Sequence, residues 1–262
     1  MKILALDTAT EGCSAALLID GDLVGRELEL GRGHAERILP MVDELLVEAG
    51  IGLGAFDAIA FGRGPGGFTG VRLAASVTQG LAFGAGLPVI PISDLMAVAQ
   101  RAFREETAAR RVPAGAAANA PWRVIVCNDA RMQEVYWAGF EEAGGLAVPV
   151  GAEKVARPET VSIPTQWTIP TQWTSIPPPD PQTSKAGGSA PLILGAGRGF
   201  AAYPDLRTRL AAHLATIHDR LLPRAHEIAM LAVPVLQGGG ALGPEHAIPV
   251  YLRDDVAQPA ER

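Results

Sequence analysis

The chain has 262 residues, 48% of them apolar by type, with a net charge of −6 and an isoelectric point near 5.4. That length and composition suit a globular protein with core enough for one large domain or two lobes. The acidic balance argues against a broad basic face that would grip a phosphate backbone, though not against a basic partner that does so. Cys13 and Cys127 lie far apart in apolar strand-like runs, which fits a reduced, cytoplasmic protein better than a disulfide scaffold. The start, Met-Lys and a short β run, carries no apolar h-region, and no stretch reaches the ~20 apolar residues of a membrane span.

Lys2 to Leu6 reads as a compact strand ending at Asp7-Thr-Ala-Thr10. Cys13–Ile19 is a second strand, Gly21-Asp22 a hairpin turn, and Leu23–Leu30 a third strand. Residues 34–49 form an amphipathic helix stopped by Gly50, with Ile38, Met41 and Leu45 on its apolar side and Pro40 in its early turns. Asp57–Phe61 is a buried strand that feeds the glycine-rich run Gly62 to Gly67. That run lacks the Lys of a phosphate-binding Walker loop, and it reads either as a tight turn or as a ligand-facing loop.

The helix 68–85 is apolar around most of its circumference, so it is covered on more than one side. Gly70, Ala74, Thr78 and Ala82, four apart, leave room for another helix or for a sheet. A proline-bearing edge strand spans 87–92, and Ser93-Asp94 offer an N-cap for a helix over 95–103. Residues 104–121 read as a frayed helix end and a linker between lobes.

A strand from Trp122 to Cys127, an acidic turn and a returning strand to Phe140 repeat the architecture of residues 2–19. Asp129 then stands where Asp7 stands in the first half. Residues 158–190 break the pattern. Ile-Pro-Thr-Gln-Trp-Thr occurs at 163–168 and again at 169–174, before a proline run. This composition reads as an exposed insertion, or as a recognition segment carrying Trp167 and Trp173. A strand with a glycine turn follows at 191–199, a final amphipathic helix at 223–235, and an ordered run at 248–253 before a loose tail.

No metal constellation is expected. Two histidines four apart on a helix would present both rings to one metal, but the fourth residue after His34 is Ile38. His213 and His218 do not share a helix face.

Five stretches together resemble the TsaB (YeaZ) family: Asp7-Thr-Ala-Thr10, His34-Ala-Glu-Arg-Ile-Leu-Pro40, Gly64-Pro-Gly-Gly-Phe-Thr-Gly-Val-Arg72, Asp129-Ala-Arg-Met-Gln-Glu-Val-Tyr136 and Pro249-Val-Tyr-Leu-Arg253. The resemblance implies an α/β, two-lobed actin-like/Hsp70-like fold (ASKHA, with RNase H-like lobes). Here the lobes would be 1–105 plus 219–262, and 106–218.

It also implies a bacterial, cytoplasmic, non-catalytic subunit of the assembly that transfers a threonylcarbamoyl group to N6 of the adenosine beside the tRNA anticodon. The implied partners are a TsaD-like catalytic subunit, which carries the metal through a His-x-x-x-His pair, and a TsaE-like ATPase. tRNA would be met only through the complex, and a homodimer can form when the chain is free. No cofactor is expected on this chain alone, with ATP or ADP expected only at the level of the complex.

Ile38, Met41, Leu45, Ala74, Thr78 and Leu81 are the expected partner interface, with ordinary core against their own sheet as the competing reading. Asp7, Thr8, Thr10, Gly64, Gly66, Gly67 and Asp129 are the expected remnant of a nucleotide-facing site. The rival functions are a stand-alone ATPase or small-molecule kinase of the same fold, and a peptidase.

Overall fold

The structure is a computed structural model that describes residues 1–109, 122–167 and 193–253. The proposed linker beyond 109, the second hexapeptide copy with its proline run, and the tail after 253 lie outside the described residues.

The strands fall into two five-stranded sheets. The first comprises β1 (Lys2–Asp7), β2 (Gly12–Ile19), β3 (Asp22–Glu29), β4 (Ala58–Gly62) and β5 (Val89–Ile92), in the order β3-β2-β1-β4-β5. The second comprises β6 (Arg123–Asp129), β7 (Val135–Ala143), β8 (Leu146–Ala156), β9 (Ile193–Ala196) and β10 (Thr216–His218), in the order β10-β9-β6-β7-β8. Read from the other edge, the second order repeats the first with every strand number raised by five. In each sheet the first three strands form an antiparallel meander and the last two add in parallel. Asp7 and Asp129 are thus the last residues of equivalent strands.

β1 has apolar residues at every position from Ile3 to Leu6 because both its faces are covered. Ile3 and Ala5 join a central core with α3 (Asp94–Ala109), α6 (Ala225–Gln237) and the inner face of the second sheet. Leu4 and Leu6 face the other way, onto α1 (His34–Ala49) and α2 (Phe68–Ala85). The outer face of the second sheet is covered by α5 (Pro204–Leu210), by Phe200 of the short α4 (Gly199–Ala202), and by residues 161–167.

Three expectations change here. Ser93 caps α3, its hydroxyl accepting from the Met96 N–H, while Asp94 turns inward and is fully buried. The helix also runs past the expected frayed end to Ala109. The part of the expected exposed insertion that is described, 158–167, is packed: Val161 is 0% and Trp167 3% exposed. Gly139 makes this packing fit, since a Cβ there would meet Pro164 and Trp167 at 3.0 Å.

Candidate functional site

A cleft of about 560 Å³ opens between the sheets at the ends of β1, β4 and β6. Its walls are the β1–β2 turn, the entry to α1, the glycine loop with the first turn of α2, and the β6–β7 turn. Of the residues expected to face a nucleotide, Thr8, Thr10, Gly66, Gly67 and Asp129 line this cleft.

The glycines of the loop are needed for backbone approach within the chain. A Cβ on Gly66 would lie 2.4 Å from the Ala9 carbonyl oxygen, and one on Gly70 2.1 Å from that of Thr8. The Gly67 N–H donates to the Ala9 carbonyl at 2.7 Å, and the Thr8 hydroxyl donates to the Gly70 carbonyl at 2.7 Å. The loop is therefore stitched to the β1–β2 turn, Gly66 and Gly70 having no side chain in the way.

Asp7 and Gly64 do not line the cleft. The Asp7 carboxylate is fully buried, its Oδ1 accepting from the Ala9 N–H at 2.9 Å, and it lies beside the equally buried Asp94, a Cβ on Gly62 meeting an oxygen of each at 2.4–2.5 Å. Asp94 also accepts from the Gly64 N–H, and Gly64 takes a left-handed φ of 101°. Burial, first of all, raises Asp7 from 3.8 to about 6. Burial and then the charge of Asp7 push Asp94 well above the carboxylate range. Two carboxyls this close and this dry share a proton.

Asp129 is committed to its own turn. It accepts from the Arg131 N–H and Nη1, both at 2.9 Å, and from the Tyr203 hydroxyl at 3.0 Å. The turn it holds has three successive non-glycine residues in the left-handed region, Arg131, Met132 and Gln133, at φ 60°, 52° and 60°. Arg131 then reaches across the cleft to Glu11 at 2.9 Å, and Arg198 bridges Glu29 at 2.7 Å. Beside them Asn128, which the sequence reading did not single out, is 5% exposed, and its amide finds no partner among the described residues.

The ring Nε2 of His34 donates to the Thr10 carbonyl at 3.0 Å, which fixes the proton on that nitrogen. Four residues on, Ile38 is fully buried. Among the described residues, no group of three or more His, Cys, Asp or Glu side chains is placed to hold a metal. Cys13 and Cys127 are free, buried in different cores, and burial raises the Cys13 thiol to about 11.

The expected interface residues need correction. Ile38, Met41, Leu45, Ala74 and Thr78 are at most 1% exposed, all but Thr78 in the core between the helices and the first sheet, and Leu81 packs partly against that core. Their apolar stripe points inward because the sheet beneath it is apolar too. The outward faces of the same helices carry different residues. Leu39 is 47% and Val47 74% exposed on α1, and Phe68 61% and Phe83 59% on α2. Gly80 and Gly84 lie in α2 with nothing within 4 Å of an added Cβ.

The comparisons with known proteins are specific. Over residues 29–261 the chain matches the family model of TsaD, tRNA N6-adenosine threonylcarbamoyltransferase. It is 39% identical over 259 residues to the Escherichia coli tRNA threonylcarbamoyladenosine biosynthesis protein TsaB, covering 98% of this chain and 96% of that one. The chain belongs to the TsaB family. A Haemophilus influenzae TsaB is 51% identical over 138 residues, 53% of each chain. YeaZ from Pseudomonas aeruginosa superposes with a TM-score of 0.75 at 38% identity, covering 96% of this chain and 99% of that one. A second Pseudomonas aeruginosa structure, with the same score and identity, is described as an uncharacterized protein with similarity to peptidase YeaZ. As a TsaB-family member the chain has a role in tRNA threonylcarbamoyladenosine biosynthesis and an ASKHA-like fold of paired sheets. No described helix is long and apolar enough to cross a membrane.

Proposed function

We propose that this chain is the non-catalytic scaffold of a tRNA threonylcarbamoyltransferase assembly, docking a TsaD-like catalytic subunit on the outward face of α1 and α2. One observation carries the reading. Gly80 and Gly84 lie on an exposed α2 surface with open space where a side chain would sit. Glycine in a helix costs roughly 1 kcal/mol against alanine. Nothing in the packing of the described residues calls for either one, whereas a second helix approaching closely does. Exposed Leu39 and Val47 on α1 add apolar surface of the kind found at interface cores.

The buried Ile38 and the engagement of His34 with a carbonyl support a non-catalytic role. So does the cleft, where the carboxylate of Asp129 and the hydroxyl of Thr8 are spent on internal hydrogen bonds. In this reading the chain works in the cytoplasm, a TsaE-like ATPase joins the assembly, and tRNA reaches it through the complex. The chain binds no cofactor alone, and ATP or ADP is held at the level of the complex. The helix face pairs two copies when the partner is absent. The lobes divide as 1–105 with 219–262, and 106–218.

The test is binding of the purified chain to its TsaD-like partner after Gly80→Arg and, separately, Val47→Glu. Both changes are outward, so the variants fold; each is expected to abolish the complex. Retained binding by both would reject this surface. Turnover of ATP by the unaccompanied chain would favour the stand-alone ATPase instead.

A further inference from the structure

Beside the outward face of α2 stands a group that the packing of this chain leaves half used. Phe68, the first residue of α2, is 61% exposed, and Tyr251, on the extended run after α6, is 46% exposed. Their ring centroids are 6.3 Å apart. The Arg72 guanidinium lies 3.2 Å from the Phe68 centroid and 4.8 Å from that of Tyr251. Its Nη1 donates to the Phe68 carbonyl at 3.2 Å, so its orientation is fixed.

Neighbouring arginines are neutralised: Arg63 by Glu153, Arg131 by Glu11 and Asp129, and Arg253 by Glu134. Among the described residues no carboxylate pairs with Arg72. The segment that bears Tyr251 is tied down on both sides. The Val250 N–H donates to the Arg63 carbonyl at 2.7 Å, and Arg253 donates to the Ala130 carbonyl at 3.2 Å and to Glu134. A rigid aromatic pair holding an oriented, unpaired guanidinium is the composition of an interface hot spot, and its ordering cost is already met in the free chain.

We infer that Phe68, Arg72 and Tyr251 form an anchor for an aspartate or glutamate on the protein that docks against α2. The inference rests on the partner reading above and extends that contact surface from the helices onto residues 248–251. The charge decides the occupant. Arg72 is the cation at this spot without a counterion, and a carboxylate meets its planar fork with two parallel hydrogen bonds. A nucleic acid strand would want further unpaired cations around it, and the adjacent arginines are taken.

The experiment measures affinity of the full chain for the TsaD-like subunit at low and high salt, for the native protein and for Arg72→Ala, Arg72→Lys, Tyr251→Ala and Gly80→Arg. Arg72→Ala and Tyr251→Ala are each expected to weaken binding roughly thirtyfold with unchanged melting temperature. Arg72→Lys is expected to restore little of it, and the salt dependence is expected to flatten in Arg72→Ala. Undiminished binding by these variants, with the complex lost in Gly80→Arg, would overturn the anchor and leave the helix face standing. Undiminished binding by Gly80→Arg as well would remove both. Intact partner binding with impaired tRNA binding by the complex would assign Phe68, Arg72 and Tyr251 to RNA and overturn the inference.

Discussion

Replacing Asp7 with asparagine tests the buried carboxyl pair. Asp7 is held near 6 against an ordinary value of 3.8, raised by burial against the opposing hydrogen bond from the Ala9 N–H. A rise of roughly two pH units corresponds to roughly 3 kcal/mol, at about 1.36 per unit. Below pH 4 both folded and unfolded chains hold the proton, and the fold is not penalised. Between about pH 4 and 6 the unfolded chain releases its proton first, so stability falls as the pH rises, and above that the whole penalty is present.

Asparagine keeps the oxygen that accepts from Ala9 and places an N–H against Asp94. It also removes the charge that raises Asp94. Urea unfolding followed by circular dichroism from pH 4.5 to 8 should show the variant gaining on the native chain as pH rises. The gain should approach about 2–3 kcal/mol by pH 7.5. Parallel pH profiles for the two proteins would refute the shared-proton account.

Gly70→Ala should cost about 3 kcal/mol or more in denaturant unfolding, because its Cβ would lie 2.1 Å from the Thr8 carbonyl oxygen and backbone must move. Gly80→Ala on the same helix should be neutral or slightly stabilising, since nothing stands within 4 Å. Trp167→Ala should cost about 3–5 kcal/mol, as for other large buried aromatics. A loss below about 0.5 kcal/mol would return that segment to the surface.

The antiparallel start of both sheets was legible in the sequence because β1, β2, β6 and β7 are short apolar runs bounded by acids and turn residues. The amphipathic periods of α1 and α6 were equally plain. β8 escaped notice because Pro149 and Gly151, the latter at φ 88°, interrupt its alternation. Asp94 was read as a cap because Ser93 and Asp94 are both cap formers, and only the fold decides which one turns inward. The packing of Pro164 and Trp167 depends on the hole left by Gly139, a residue distant in the sequence.

The stripe of Ile38, Met41 and Leu45 was open to two readings for a related reason. An apolar stripe on a helix identifies a covered face, but not whether the cover is its own sheet or another protein. The docking surface proposed above rests on a different signal, Gly80 and Gly84, where an added Cβ would meet nothing within 4 Å among the described residues.

Helices α3 and α6 are shared property. Residues of both belong to a single cluster that also takes the inner surfaces of both sheets, from Ile3 and Ile90 on one side to Val126 and Phe140 on the other. Neither half owns a complete interior. Pulling them apart would wet the middle of the molecule, so heating should melt the protein in one step, and any movement between its halves must be a flexing about that common filling.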